Sequence, residues 1–135
     1  MANPNIVSVS SIYGGNYGWA LSNTLTATLL TVDAEKLLKI NRIVVANVDG
    51  SAAADVNLYV DGMGTAAANG LTPTGASATT YLAKTITVPA DSSLVISDTP
   101  IYLMEADVLK GGASATGDLE LFITYEVLDD AEGGI

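Results

Sequence analysis

The chain has 135 residues with 15 acidic and five basic side chains, a net charge of −10, and no histidine or cysteine. That is the length of a single domain; disulfides, thiolate metal sites and thiol nucleophiles are excluded, as are Ser-His-Asp triads and imidazole metal ligands. The acidic balance has the wrong sign for a phosphate backbone, so nucleic acid is not an expected partner.

Apolar residues make up 49% of the chain but aromatics only 6%. Small and β-branched residues suit pleated, half-buried strands better than long helices. Residues 1–32 carry no charge, yet Asn, Ser, Thr, Gly and Pro interrupt every apolar run. None reaches the roughly 20 apolar residues of a spanning helix. No basic start precedes an apolar block, so no secretory signal is read. The expectation is a soluble protein made in a cytoplasm, without a membrane partner.

In chain order, Ile6–Ile12 reads as a short strand with Ser8 and Ser10 on its polar side. Tyr13-Gly14-Gly15-Asn16-Tyr17-Gly18-Trp19 breaks the pattern and reads as a loop or extended arm. Leu25, Ala27 and Leu29 alternate with threonines, a period of two. Leu37–Val48 is the strongest strand, and its β-branched density outweighs a weak helical signal at Asp33–Lys36. Asp49-Gly50-Ser51 is a turn, after which Val56, Leu58 and Val60 resume alternation. Gly62–Ala78, with five glycines and prolines and no charge, reads as a long loop. Tyr81–Val88 follows, with Leu82, Ile86 and Val88 on one face, and Pro89 ends it. Ser93–Ser97 and Ile101–Met104 are short strands on either side of Asp98-Thr99-Pro100. Val108–Lys110 continues the preceding strand or begins the next, and Gly111–Gly117 reads as a loop. Leu119, Leu121, Ile123, Tyr125 and Val127 give the cleanest alternation, ahead of an acidic tail.

Seven to nine strands with turn signals about 8–12 residues apart indicate an all-β sandwich or barrel. The expected fold is a compact antiparallel β-sandwich with jelly-roll-like topology. Three regions follow: an N-terminal strand and aromatic, glycine-rich arm over 1–24, the sandwich over 25–128, and the tail over 129–135.

Chemistry without His or Cys falls to carboxylates, a lysine or a metal. Asp49, Asp55, Asp61, Asp91, Asp98, Glu105, Asp107, Asp129 and Asp130 stand mostly beside turn residues, where Asp side chains bond the backbone. No Asp-x-Asp-x-Asp run supplies a calcium loop. Gly111-Gly112 and Gly62-Met63-Gly64 lack the rest of any phosphate-loop fingerprint. Lys36, Lys39, Arg42, Lys84 and Lys110 are dispersed and read as solvated strand edges. No catalytic residue, metal ligand or cofactor site is assigned. The candidate partner-contact residues are Tyr13, Tyr17 and Trp19: such side chains anchor interfaces, and the neighbouring glycines allow close backbone approach. The same segment serves equally well as a cover for the domain's own core.

Six stretches carry a resemblance: Ser11-Ile12-Tyr13-Gly14, Ile43–Gly50, Tyr81-Leu82-Ala83-Lys84, Val88–Ile96, Ile101–Asp107 and Ile123-Thr124-Tyr125-Glu126. In this order they resemble small virion structural proteins of tailed bacteriophages, particularly cyanophages. The resemblance implies a non-enzymatic particle component located in the virion and assembled in the host cytoplasm. The leading expectation is a capsid decoration (cement) protein that meets the major capsid protein or other virion proteins, as a trimer or other small symmetric homo-oligomer. A neck, tail or fibre component is the alternative within the particle, and a carbohydrate- or receptor-binding β-sandwich the alternative outside that class. No contact residue is carried over from the resemblance.

Overall fold

The alternation at the C-terminal end sets the architecture. Leu119, Leu121 and Ile123 are buried while Glu120 and Phe122 are exposed, so one face of this strand lies on a core. In the computed structural model, which describes residues 9–62, 74–75 and 77–129, nine strands appear. They are β1 (Ser11–Ala20), β2 (Thr28–Thr31), β3 (Lys36–Asn47), β4 (Ala54–Asp61), β5 (Thr79–Val88), β6 (Ser93–Ser97), β7 (Ile101–Leu103), β8 (Val108–Ala113) and β9 (Leu119–Asp129). No helix occurs among the described residues.

The strands form two antiparallel sheets. The first runs β1-β9-β3-β6, with β7 also paired to β3, and the second runs β2-β8-β4-β5. Pairing is nested: β1 with β9, β2 with β8, β3 with β6 and β7, β4 with β5. That nesting across two facing sheets is the jelly-roll arrangement. Ile40, Ile43, Val45, Leu121 and Ile123 from the first sheet meet Val56, Leu58, Val60, Leu109 and Ala113 from the second in one apolar cluster. Burying such side chains stabilises by about 1.5–3 kcal/mol each.

Several local expectations are corrected. Tyr13–Trp19 is not a loop but most of β1, paired with β9 at every position from Ser11↔Asp129 to Ala20↔Glu120. Of the expected strand at Ile6–Ile12, residues 6–8 lie outside the described residues, Val9 and Ser10 are not in a strand, and Ser11 and Ile12 open β1. Most of Gly62–Ala78 and of the acidic tail also lies outside the described residues. Leu25 sits in a turn closed by the Ala27 N–H on the Thr24 carbonyl, 3.2 Å, so β2 starts only at Thr28. Gly111 and Gly112 belong to β8 rather than to a loop. A Cβ on Gly111 would collide with the Asn57 carbonyl, and one on Gly112 with the Thr24 carbonyl.

The cations are also placed differently from a row of edge residues. Lys36, Lys39 and Arg42 lie on β3, inside the first sheet, and Lys110 lies on β8, inside the second. Each of the three lysines reaches a carboxylate: Lys36 to Asp129 at 3.3 Å, Lys39 to Glu126 at 3.6 Å, Lys110 to Asp61 at 2.9 Å. Only Lys84, on β5, occupies an edge.

Candidate interaction surface

β1 is the outer strand of the first sheet. Of its three glycines, Gly15 alone is required by the close approach of a neighbour. The ring of Tyr125, from β9, lies across it, and a Cβ on Gly15 would stand 2.9 Å from the Tyr125 hydroxyl. By register Tyr13, Gly15, Tyr17 and Trp19 share the side of Val127, Tyr125, Ile123 and Leu121, the side that faces the second sheet.

The three candidate aromatics therefore lie on one side of one strand, with different surroundings. Trp19 packs against the core and holds the Tyr17 ring at 4.8 Å between centroids, tilted by 31°. Tyr13 and Tyr17 stay 57% and 55% exposed, because the strand opposite, β2, has only four residues. Beside Tyr17 the gap between the sheets opens into a crevice of about 200 Å³. Leu30, Val32, Leu38, Tyr125 and Val127 line it, with Asp33 and Lys36 also present.

The opposite, outward face of the same sheet carries a second group that the sequence reading did not single out. Gly18, Phe122, Val44 and Val95 form one cross-strand row. Phe122 is 46% exposed, and Tyr102, opposite Lys39, is 50% exposed. The signal for Phe122 was present in the sequence: it is a large apolar side chain at an outward position, between Glu120 and Thr124.

The carboxylates serve local structure. Asp49 accepts from the Ser51 N–H at 2.8 Å, the Ser51 hydroxyl at 3.0 Å and the Ala52 N–H at 3.1 Å. These bonds, led by the one from the Ser51 backbone, hold its carboxyl below the usual range. Beside this turn, buried Asn47 donates to the Ala52 and Val88 carbonyls and accepts from the Asp49 N–H. Asp61 accepts from the Thr79 hydroxyl and pairs with Lys110; both lower its pKa, the Thr79 bond more. Asp107 accepts from the Met104 N–H at 2.9 Å, and its burial pushes the carboxyl up. Among the described residues no three Asp or Glu side chains gather in a way that could hold a metal ion.

No protein-family model matches this chain, and neither a curated protein nor a solved structure matches it.

Proposed function

We propose that this chain is a non-enzymatic virion structural protein of a tailed bacteriophage, a capsid decoration (cement) protein that binds the outer shell as a small symmetric oligomer. The observation that carries this reading is the uneven distribution of charge and apolar surface. A chain of net charge −10 has one sheet whose rim exposes Tyr13 and Tyr17 and whose outward face exposes Phe122, Val95 and Tyr102. Among the described residues six of the ten exposed large apolar side chains lie on this sheet, against two, Tyr81 and Ile86, on the other. Such a concentration suits a protein partner, and aromatic side chains are favoured interface anchors. The acidic remainder would repel free nucleic acid and neighbouring particles. The major capsid protein is the expected shell partner of the outward face; Tyr13 and Tyr17, with Trp19 positioning Tyr17, are the contacts at the rim, within the oligomer.

The test adds the purified protein to particles that lack the native copy and locates it by cryo-electron microscopy. Regular copies on the shell are expected, with occupancy reduced in Phe122→Lys. Density confined to the neck, tail or fibres would replace decoration by the alternative particle location. Glycan-array binding without particle association would replace both with a carbohydrate-binding role.

A further inference from the structure

We infer that the outer edge of β1, which pairs with no other strand among the described residues, pairs, antiparallel and about a two-fold axis, with β1 of a second copy of this chain. This names the partner that Tyr13 and Tyr17 meet, and it does not depend on the particle reading.

The hydrogen-bond pattern shows which groups are available. The Leu21 N–H donates to the Leu119 carbonyl at 2.9 Å, and on the other side of β9 the Val48 N–H donates to the Asp118 carbonyl at 2.8 Å. In antiparallel strands successive residues turn their N–H and C=O groups to opposite sides. Carried along the unbroken β1–β9 register, odd-numbered residues of β1 bond β9, and Ile12, Gly14, Asn16 and Gly18 turn theirs away from the sheet. Such a row templates another strand unless a charge, a proline or a bulge blocks it. β1 has none of these over ten residues.

Two features select a copy of the same chain as the occupant. First, like chains of net charge −10 repel over most of their surfaces, and repulsion is least along a strand that carries no charge. Second, the strand is self-complementary about Gly15. With Gly15 on the axis, Tyr13 stands opposite Tyr17, Gly14 opposite Asn16, Ile12 opposite Gly18 and Ser11 opposite Trp19. A two-fold contact requires each residue to suit its reciprocal partner, and facing aromatics are a favourable cross-strand pair. No Cβ stands on the axis, where the Tyr125 ring already covers Gly15. An axis perpendicular to the sheet keeps the outward faces of both copies, with Phe122 and Val95, on one side and open.

Sedimentation of the full chain at micromolar concentration should give twice its 13.8 kDa. Tyr13→Cys/Tyr17→Cys should oxidise to a covalent dimer. Opposed residues that do not bond each other bring their Cα atoms to about 4.5 Å, within disulfide range, and the chain has no other cysteine. Asn16→Pro removes an outward N–H and should give a monomer with an unchanged β-type spectrum. If that variant does not fold, Tyr13→Lys/Tyr17→Lys should dissociate the dimer and Tyr13→Glu/Tyr17→Lys should restore it. A wild-type monomer or trimer, a dimer that survives Asn16→Pro or the paired lysines, or failure of the cross-link would each overturn the inference.

Discussion

β1 and β5 are both ten-residue strands at sheet edges, and they are finished in opposite ways. β5 is tied to β4 by side chains: the Thr87 hydroxyl donates to Asp55 at 2.7 Å, the Thr79 hydroxyl to Asp61, and the Thr85 N–H to the Asn57 amide oxygen at 2.7 Å. A bulge between Leu58↔Ala83 and Val56↔Ile86 puts Thr85 at φ 52°, and Lys84 stands over the Tyr81 ring at 5.1 Å. Bulges and lysines are the devices that keep an edge from recruiting another strand. β1 has an unbroken register, no charge and no side-chain tie. One edge is closed by its own sheet and the other is left able to pair.

The largest effect expected tests what seats β1. Leu121 is buried between Trp19 and Val45 in the register, and Leu121→Asp would place an unpaired carboxylate there. The cost should exceed about 4 kcal/mol, enough to prevent folding; normal expression and melting of the variant would show that β1 does not rest on this core. Next comes the closure of β5. Asn57→Ala leaves the Thr85 N–H without its partner at a strained φ, a loss of about 1–3 kcal/mol read from the urea midpoint. An unchanged midpoint would mean that the bulge holds itself.

A finer test returns to β1. Gly15→Ala forces the Tyr125 ring to shift and should cost about 1 kcal/mol, whereas a Cβ on Gly14 meets nothing within 4 Å. Gly14→Ala should therefore be neutral or slightly stabilising, and equal melting temperatures for the two variants would contradict the ring's position over Gly15.

The smallest effect is in the pH profile. Asp61 has a lowered pKa, so its contribution is present above its ordinary 3.8 and lost as pH falls through the lower folded value. Asp107 has a raised pKa, so its contribution runs the other way: stability is lost as pH rises from 3.8 through the higher folded value. Thermal melts should show Asp107→Asn gaining on the wild type as pH rises above 3.8. They should show the deficit of Asp61→Asn shrinking as pH falls below 3.8. Parallel profiles for both variants would remove these roles.

The parts of the fold that were legible in the sequence depend on near neighbours. Leu119, Leu121 and Ile123 declare their buried face by alternation alone, and so do Val56, Leu58 and Val60. What escaped depends on residues far along the chain. Gly15 looks like a loop glycine until Tyr125 is laid across it, and Gly111 does so until the Asn57 carbonyl is found against it. In β5 the expected face of Leu82, Ile86 and Val88 is broken by the bulge, so Ala83 and Val88 are buried while Ile86 is exposed. The bulge is held by Asn57, which no local pattern connects to Thr85. At the candidate surface the aromatics of β1 stood out by composition, but their common side and the unequal cover of Trp19 and Tyr17 come from pairing with β9 and the shortness of β2.

The nested order of pairing also sets a timetable. During synthesis β4 and β5 can form the innermost hairpin early, whereas β1, whose Ser11 pairs with Asp129, waits for β9. At translation rates of about 5–20 residues per second, that wait lasts about 5–20 s. Folds closed by such distant pairings form slowly. The uncharged, self-complementary strand is thus exposed on every nascent chain before the sandwich closes, and neighbouring chains on one message can find each other's β1 before their own β9. Lowering the rate of expression should raise the soluble yield, and Asn16→Pro should make that yield much less sensitive to rate.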